Sequence, residues 1–119
     1  MMPPHIRFGL SGEHKAAVYL RENGYTMLFG NYRSASGEID IIAEGDECLC
    51  FVEVKTRKQG GMFPPSEAVD INKQENVRST AAHYRAAYYD PDKPDRFDII
   101  EVEQSPDGLY SVNHIKNAF

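Results

Sequence analysis

Residues 48–56, Cys-Leu-Cys-Phe-Val-Glu-Val-Lys-Thr, constrain the fold of this chain more than any other stretch. A strand with this pattern carries apolar side chains on both of its faces, which is typical of a central strand covered on both sides. The same strand carries Glu53 and Lys55. An isolated charge in a protein interior is costly, so these groups need either opposite charges or a metal ion beside them. The stretch therefore predicts a covered sheet whose central strand holds a structural salt bridge or a metal site.

The remaining pattern predicts two helices and five strands in the order α-βββ-α-β-β. One helix is predicted over 12–23, ended by Gly24, as glycine commonly ends helices. A longer helix is predicted over 70–88, with a buried stripe of Val77, Ala81, Tyr84 and Tyr88 at spacings of three and four. Strands are predicted over 25–32, 38–43, 48–56, 97–102 and 109–115. The predicted fold class is α/β: a mixed central sheet with a helix on each face.

The length of 119 residues fits one domain, expected over 1–119 with a loose lead-in at 1–10. No apolar run is long enough to cross a bilayer. The N-terminal residues lack the apolar core of a secretion signal, so a cytoplasmic location is the default expectation. The formal net charge of −5 argues against a general nucleic-acid coat, which needs a basic face. A small basic cleft stays possible, because phosphate contacts act within about one Debye length of ~10 Å.

The two cysteines, Cys48 and Cys50, have the spacing that places both side chains on one face of a strand. A zinc site needs further ligands at matching spacing, and the sequence has no second cysteine pair and no histidine pair. We therefore interpret both cysteines as small buried apolar residues.

The register of the hairpin before and after Gly45-Asp46 brings the two acidic positions together. A hairpin closed symmetrically around these two residues sets Asp40 opposite Phe51 and Glu38 opposite Glu53. Asp40 and Glu53 then share a face as diagonal neighbours, roughly 7–8 Å apart. Two carboxylates at that separation can bind one hard cation such as Mg²⁺ or Mn²⁺. A slip of one residue separates them, so the prediction depends on the register.

Several stretches resemble the YraN family of small bacterial proteins, over nearly all of residues 12–102. The matching positions are Gly12-Glu13, Ala16-Ala17, Leu20, Gly24-Tyr25, Asn31-Tyr32-Arg33, Gly37-Glu38-Ile39-Asp40, Phe51-Val52-Glu53-Val54-Lys55-Thr56-Arg57, Ala68-Val69, Lys73 and Arg96-Phe97-Asp98. That family is similar in fold and active-site order to Holliday-junction resolvases and other PD-(D/E)XK nucleases. A restriction-endonuclease-like form of the predicted α/β fold is therefore implied for residues 12–102. The resemblance implies that Asp40 and Glu53 are metal ligands, that Lys55 is the catalytic lysine, and that Glu13 reaches the site from the first helix.

The chemistry implied by the resemblance is metal-dependent hydrolysis of phosphodiesters in DNA, possibly branched or structured. Mg²⁺ or Mn²⁺ would lower the pKa of a bound water and neutralise charge on the phosphate. Lys55 would stabilise that charge electrostatically. The main-chain carbonyl of Val54 suits the same cation as a further ligand. The expected nucleic-acid contacts are Arg33, Ser34, Arg57 and Lys73.

One departure from the family leaves an alternative open. Relatives carry several basic residues after the position of Lys73, whereas this chain has Gln74-Glu75-Asn76-Val77-Arg78. The second hypothesis is therefore a nuclease-like module that binds nucleic acid or protein without cutting it. Resolvase-like enzymes are often two-fold dimers, so a homodimer is also an expectation, although fold analogy is weak support for function.

Overall fold

The computed structural model describes residues 12–58, 70–88 and 92–119, and these ranges form two helices and five strands. The lead-in at 1–10 and the loop expected at 59–66 lie outside the described residues. The helices are α1 (Gly12–Glu22) and α2 (Ile71–Tyr88). The strands are β1 (Thr26–Ser34), β2 (Gly37–Gly45), β3 (Cys48–Lys58), β4 (Asp95–Gln104) and β5 (Tyr110–Ile115).

The five strands form one sheet in the order β1-β2-β3-β4-β5, which makes β3 the central strand. Only β3 and β4 run parallel; the other three neighbouring pairs are antiparallel. A parallel pair needs a crossover connection, and α2 lies within the connection between β3 and β4. The predicted α/β class and the order α-βββ-α-β-β are confirmed.

A separate apolar cluster covers each face of the sheet. On one face, Ala16, Ala17 and Leu20 of α1 pack against Ile41 and Val52. On the other face, Val77, Ala81 and Tyr84 of α2 pack with Ile42 and Phe51. Cys50 is buried on the α1 face and Cys48 packs against the same cluster, as their spacing predicts. Neither described helix is long and apolar enough to cross a membrane.

The predicted stripe of α2 is wrong at its last position. Tyr88 keeps 65% of its surface exposed, whereas the other three members of the stripe are buried. The Tyr88 ring still lies 5.3 Å from the Tyr84 ring and 6.3 Å from the Tyr32 ring. It therefore covers the edge of the aromatic cluster from outside, because the helix ends there.

The β2–β3 hairpin turns one residue later than predicted. Its turn is Asp46-Glu47, and Phe51 pairs with Ile42 rather than with Asp40. Gly45 stays in β2 because any side chain there would collide with the ring of Tyr25. Asp46 and Glu47 both have positive φ, 51° and 60°, which matches the twist of a two-residue hairpin turn.

The correction moves each residue of β2 by two positions relative to β3, so the side chains keep their faces. Extended one step beyond Ile41↔Val52, the observed register sets Asp40 level with Glu53. This register differs from the predicted one, which has Asp40 opposite Phe51 and Glu38 opposite Glu53; the pairing itself ends at Ile41↔Val52.

The β1–β2 ribbon bends sharply at Asn31 and Asp40. Tyr32 and Ile39 pair with each other and belong to the α2-side cluster, while Ile41, only two residues after Ile39, belongs to the α1-side cluster. Regular alternation would put Ile39 and Ile41 on one face. Asn31 has a φ of 55°, a conformation that asparagine tolerates better than most residues. Beyond this bend the hairpin tip turns toward α2, where Ser34 Oγ lies 2.9 Å from Thr80 Oγ1.

Candidate active site

Glu53 is the most enclosed acidic group of the predicted site. It lies on the central strand, and 8% of its side-chain surface is exposed. Two ammonium groups stand at the same carboxylate oxygen: Nζ of Lys55 and Nζ of Lys73 are each 3.5 Å from Oε1. Lys55 comes from the same strand two residues later, and Lys73 comes from the first turn of α2. A helix start disfavours a cation, so the position of Lys73 is explained by Glu53 rather than by the helix.

Asp40 lies beside Glu53 and accepts a hydrogen bond of 2.8 Å from the main-chain N–H of Val54. Partial burial and, after it, the nearby negative charge of Glu53 raise the pKa of Asp40, which the net balance brings from 3.8 to about 7. The Val54 N–H and the charge of Lys73 act in the opposite direction. The pKa of about 7 shows that the site resists holding a second negative charge.

Glu13 reaches the same place from the first turn of α1. Partial burial raises its pKa, as do the charges of Glu38 and Glu53, while a side-chain hydrogen bond with Asn31 lowers it. Asn31 contributes through this hydrogen bond, and its positive φ of 55° lies where the side-chain alternation of the ribbon breaks. The structure therefore brings together Glu13, Asp40, Glu53, Lys55 and Lys73.

The donor set suits a hard divalent cation. Among the residues the structure describes, no three His, Cys, Asp or Glu side chains form a complete metal site. Two adjacent carboxylates are nevertheless present, and their mutual repulsion raises the pKa of Asp40, a cost that a cation between them would offset. Mg²⁺ is often held by one or two carboxylates together with water and substrate phosphate. Asp40 and Glu53 fit that mode; the metal-ligand role of the Val54 carbonyl stays a prediction.

The four expected nucleic-acid contacts differ in their exposure and in the side chains they contact. Arg33 keeps 76% of its side chain exposed and pairs with Glu38 at 3.1 Å. Arg57 has only 16% exposed, and its Nε lies 2.9 Å from Glu101, close enough for an ion pair although its N–H has no hydrogen-bond partner. Ser34 uses its hydroxyl within the fold, accepting a hydrogen bond from the Ser36 N–H at 3.1 Å. Lys73 is the only one of the four that contacts Glu53.

Asn31 is a site residue that the pattern of the chain does not single out. Its role depends on a left-handed conformation inside a strand and on contact with a helix that is distant in sequence. The one available signal is its residue type, because asparagine is enriched at positive φ. Asn31 is also the first residue of Asn31-Tyr32-Arg33, one of the stretches that resemble the YraN family.

Arg96 and Asp98 belong to a different charged cluster, on the α1 face, whereas Phe97 between them packs in the apolar cluster on the α2 face. Asp98 is fully buried and accepts hydrogen bonds from Arg96, from His114 at 2.7 Å and from the Asn117 N–H at 3.0 Å. Burial alone would raise the pKa of Asp98, but these donors outweigh it and lower the pKa. Arg96 also bonds Tyr25 Oη at 2.7 Å. This cluster ties β4 to the chain end after β5 and explains the stretch structurally.

Comparison with protein families decides the relationship of the chain. Residues 12–102 match the model of the family described as "Uncharacterised protein family UPF0102". The chain belongs to the UPF0102 family. The matched span contains the whole acidic and basic group from Glu13 to Lys73, and the resemblance to YraN proteins is confirmed at the level of the family.

Individual UPF0102 proteins are similar over almost their full length. The UPF0102 protein of Symbiobacterium thermophilum is 43% identical over 113 residues, covering 95% of this chain and 96% of its own. The UPF0102 protein of Alkaliphilus oremlandii is 44% identical over 115 residues, covering 95% and 97%. That of Chlorobium phaeobacteroides is 41% identical over 121 residues, covering 98% and 95%.

Proposed function

We propose that this UPF0102 protein is a divalent-metal-dependent nuclease that hydrolyses phosphodiester bonds of DNA. The observation that carries the proposal is the half-buried pair of Asp40 and Glu53, with two lysines at Glu53 and a third carboxylate, Glu13, facing the pair. Adjacent acids with a lysine beside them are the groups that metal-assisted phosphoryl transfer uses.

A purely structural salt bridge explains this arrangement less well. A salt bridge needs only Glu53 and one lysine, and it is complete when their charges cancel. Here three carboxylates crowd two lysines, and the pKa of Asp40 rises to about 7 because of burial and of Glu53. Burial of an excess charge lowers stability. Such a cost is typical of sites shaped for a ligand, in this case a cation.

Each side chain has a distinct role in the proposed reaction. Asp40 and Glu53 would hold Mg²⁺ or Mn²⁺, with the main-chain carbonyl of Val54 as a further ligand. The cation supplies an activated water and neutralises charge on the phosphate. Lys55 carries no lone pair when protonated, so it acts on the phosphate and stabilises the charge that develops there. The hydrogen bond from the Val54 N–H holds the Asp40 carboxylate in position.

The test compares cleavage of linear duplex, single-stranded and four-way-junction DNA in the presence of Mn²⁺ or Mg²⁺. Lys55→Ala should lower the rate about 10²–10³-fold, as the loss of one electrostatic stabiliser typically does, while metal binding is retained. Asp40→Asn should lose both metal binding and cleavage. Lys93→Ala is the matched control, because Lys93 pairs with Glu44 at 3.1 Å away from the predicted site residues.

Two results would contradict the proposal. Wild-type protein that cuts none of these substrates with either metal would favour the non-catalytic binding module. A Lys55→Ala variant that cuts at the wild-type rate would show that the lysine is only a salt-bridge partner of Glu53.

A further inference from the structure

The basic side chains of this protein are largely occupied by its own acidic groups. Lys15 lies 4.6 Å from the centre of the Tyr110 ring, and Arg78 lies 4.6 Å from that of Phe97. Eight of the described basic residues form ion pairs with carboxylates: Arg33, Lys55, Arg57, Lys73, Arg85, Lys93, Arg96 and Lys116. Arg21 and Lys58, together with Arg7 outside the described ranges, complete the thirteen lysines and arginines of a chain of net charge −5.

This pairing limits how the protein can hold a nucleic acid. Affinity for DNA comes largely from cations that neutralise phosphates and release condensed counterions. A lysine or arginine that must first leave its own carboxylate gains little from such an exchange, because one ion pair replaces another. The ion-paired cations of the described residues therefore add little to a broad surface for duplex or junction DNA.

Lys55 and Lys73 differ from the other paired cations in the nature of their partner. Both stand at the same oxygen of Glu53, which is also a ligand in the proposed cation site. A divalent cation on Glu53 offsets the carboxylate charge that now holds them. Both ammonium groups then become available to a phosphate at the site, and they are 26% and 39% exposed.

We infer that this protein contacts its substrate through about two phosphates, held by Lys55 and Lys73, and only when a divalent cation occupies Glu53. The substrate class is then a short single-stranded stretch, and neither an extended duplex nor a junction. This inference, which rests on the proposed function, narrows the substrate that the family resemblance implies. Metal and nucleic acid should each raise the affinity for the other by the same factor.

The first experiment measures binding by fluorescence anisotropy. The probes are labelled single-stranded DNA of 6 and 20 nucleotides, a duplex and a four-way junction, each with Ca²⁺ and with a chelator. Two contacts on a single strand predict a slope of log affinity against log salt of about −1.4, so affinity falls about sevenfold between 50 and 200 mM salt. The two single strands should bind with similar affinity per site, and chelation should abolish binding.

Variants test which lysines contact the phosphates and whether the charge of Glu53 prevents that contact when no cation is bound. Lys55→Ala and Lys73→Ala should each make the slope shallower by about 0.7, the value for one phosphate. Lys116→Ala, whose lysine pairs with Asp46 at 2.9 Å, should leave the slope unchanged. Glu53→Gln removes the charge that holds both lysines, so this variant should bind the 6-nucleotide strand in chelator, where the wild type does not. Circular dichroism checks that each variant is folded.

The outcomes separate this inference from the proposed function. A slope steeper than about −4 with a preference for duplex or junction would overturn the two-phosphate contact and leave the nuclease proposal intact. Absence of binding to every probe with Ca²⁺, or a folded Glu53→Gln variant that still needs a cation, would also overturn it. If the measured slopes have the expected values but no DNA is cleaved with Mg²⁺ or Mn²⁺, the nuclease proposal is refuted and the two-phosphate binding site is supported.

Discussion

Replacement of Asp40 by asparagine should stabilise the protein when no metal is present. Asparagine is nearly isosteric, and its amide oxygen can still accept the 2.8 Å hydrogen bond from the Val54 N–H. The variant loses only the charge that burial and Glu53 oppose. A substitution that increases stability is unusual, since most substitutions destabilise by about 1 kcal/mol.

The magnitude follows from the pKa of Asp40. A rise from 3.8 to about 7 disfavours the ionised form in the folded state by roughly 4 kcal/mol. Because Asp40 is only partly buried, solvent screening reduces this free-energy cost, and we expect Asp40→Asn to raise the free energy of unfolding by about 2 kcal/mol. A raised pKa gives stability that is fully present below pH 3.8 and lost as the pH rises through about 7. The advantage of Asp40→Asn should therefore be near zero at pH 4, grow between pH 4 and 7, and level off by pH 8.

The assay is urea unfolding of both proteins at pH 4, 6 and 8 with a chelator, with and without 10 mM Mg²⁺. For a millimolar metal affinity, 10 mM Mg²⁺ should stabilise the wild type at pH 8 by about 1.4 kcal/mol and the variant by almost nothing. Glu75→Gln, an exposed acid on α2, is the control and should change stability by less than about 0.5 kcal/mol. Equal stabilities of wild type and Asp40→Asn at pH 8 would refute the crowding of Asp40 and Glu53. Equal Mg²⁺ effects on both would refute Asp40 as a ligand.

Two further predictions concern the scaffold. Asp98→Asn should destabilise the protein by about 2–3 kcal/mol at pH 7, because it removes the fully buried charge partner of Arg96 and leaves only the more exposed Asp46 in an ion pair with it. Since the pKa of Asp98 is lowered, this loss should shrink as the pH falls below about 4, and urea unfolding at pH 3 and pH 7 measures it. Glu47→Gly should stabilise by about 1 kcal/mol because it relieves the positive φ of 60° in the β2–β3 turn; an unchanged or lower thermal midpoint would show that the turn carries no strain.

Much of the fold follows from patterns that are local in the chain. The apolar run of 48–56 predicts a central strand, and β3 is central because no other stretch carries apolar groups on both faces so fully. The periodicity of 70–88 predicts α2, with an error only at Tyr88, where the helix ends and its last turn has nothing to pack under. These features depend on side-chain spacing along one element, which the sequence carries directly.

The hairpin shows how an error in detail can leave a site prediction intact. Symmetric closure around Gly45-Asp46 predicts the turn one residue too early, because Gly45 lies in β2, where any side chain would collide with the ring of Tyr25. The resulting shift is two residues, and side chains alternate with a period of two, so Asp40 and Glu53 still face the same side.

The sequence by itself determined the elements, their order, the face on which Asp40, Glu53 and Lys55 lie, and, through the family, the partnership with Glu13. Only the tertiary structure decided that the side-chain alternation of the ribbon breaks at Asn31 and Asp40. Only the tertiary structure decided also that Glu13 of α1 and Lys73 of α2 reach the same site. Only the tertiary structure decided also that Arg57 is paired with Glu101 while Lys55 and Lys73 share Glu53. The physical reason is that strand spacing acts over a few residues, whereas a backbone bend and an ion pair depend on which distant side chains the packing places within reach.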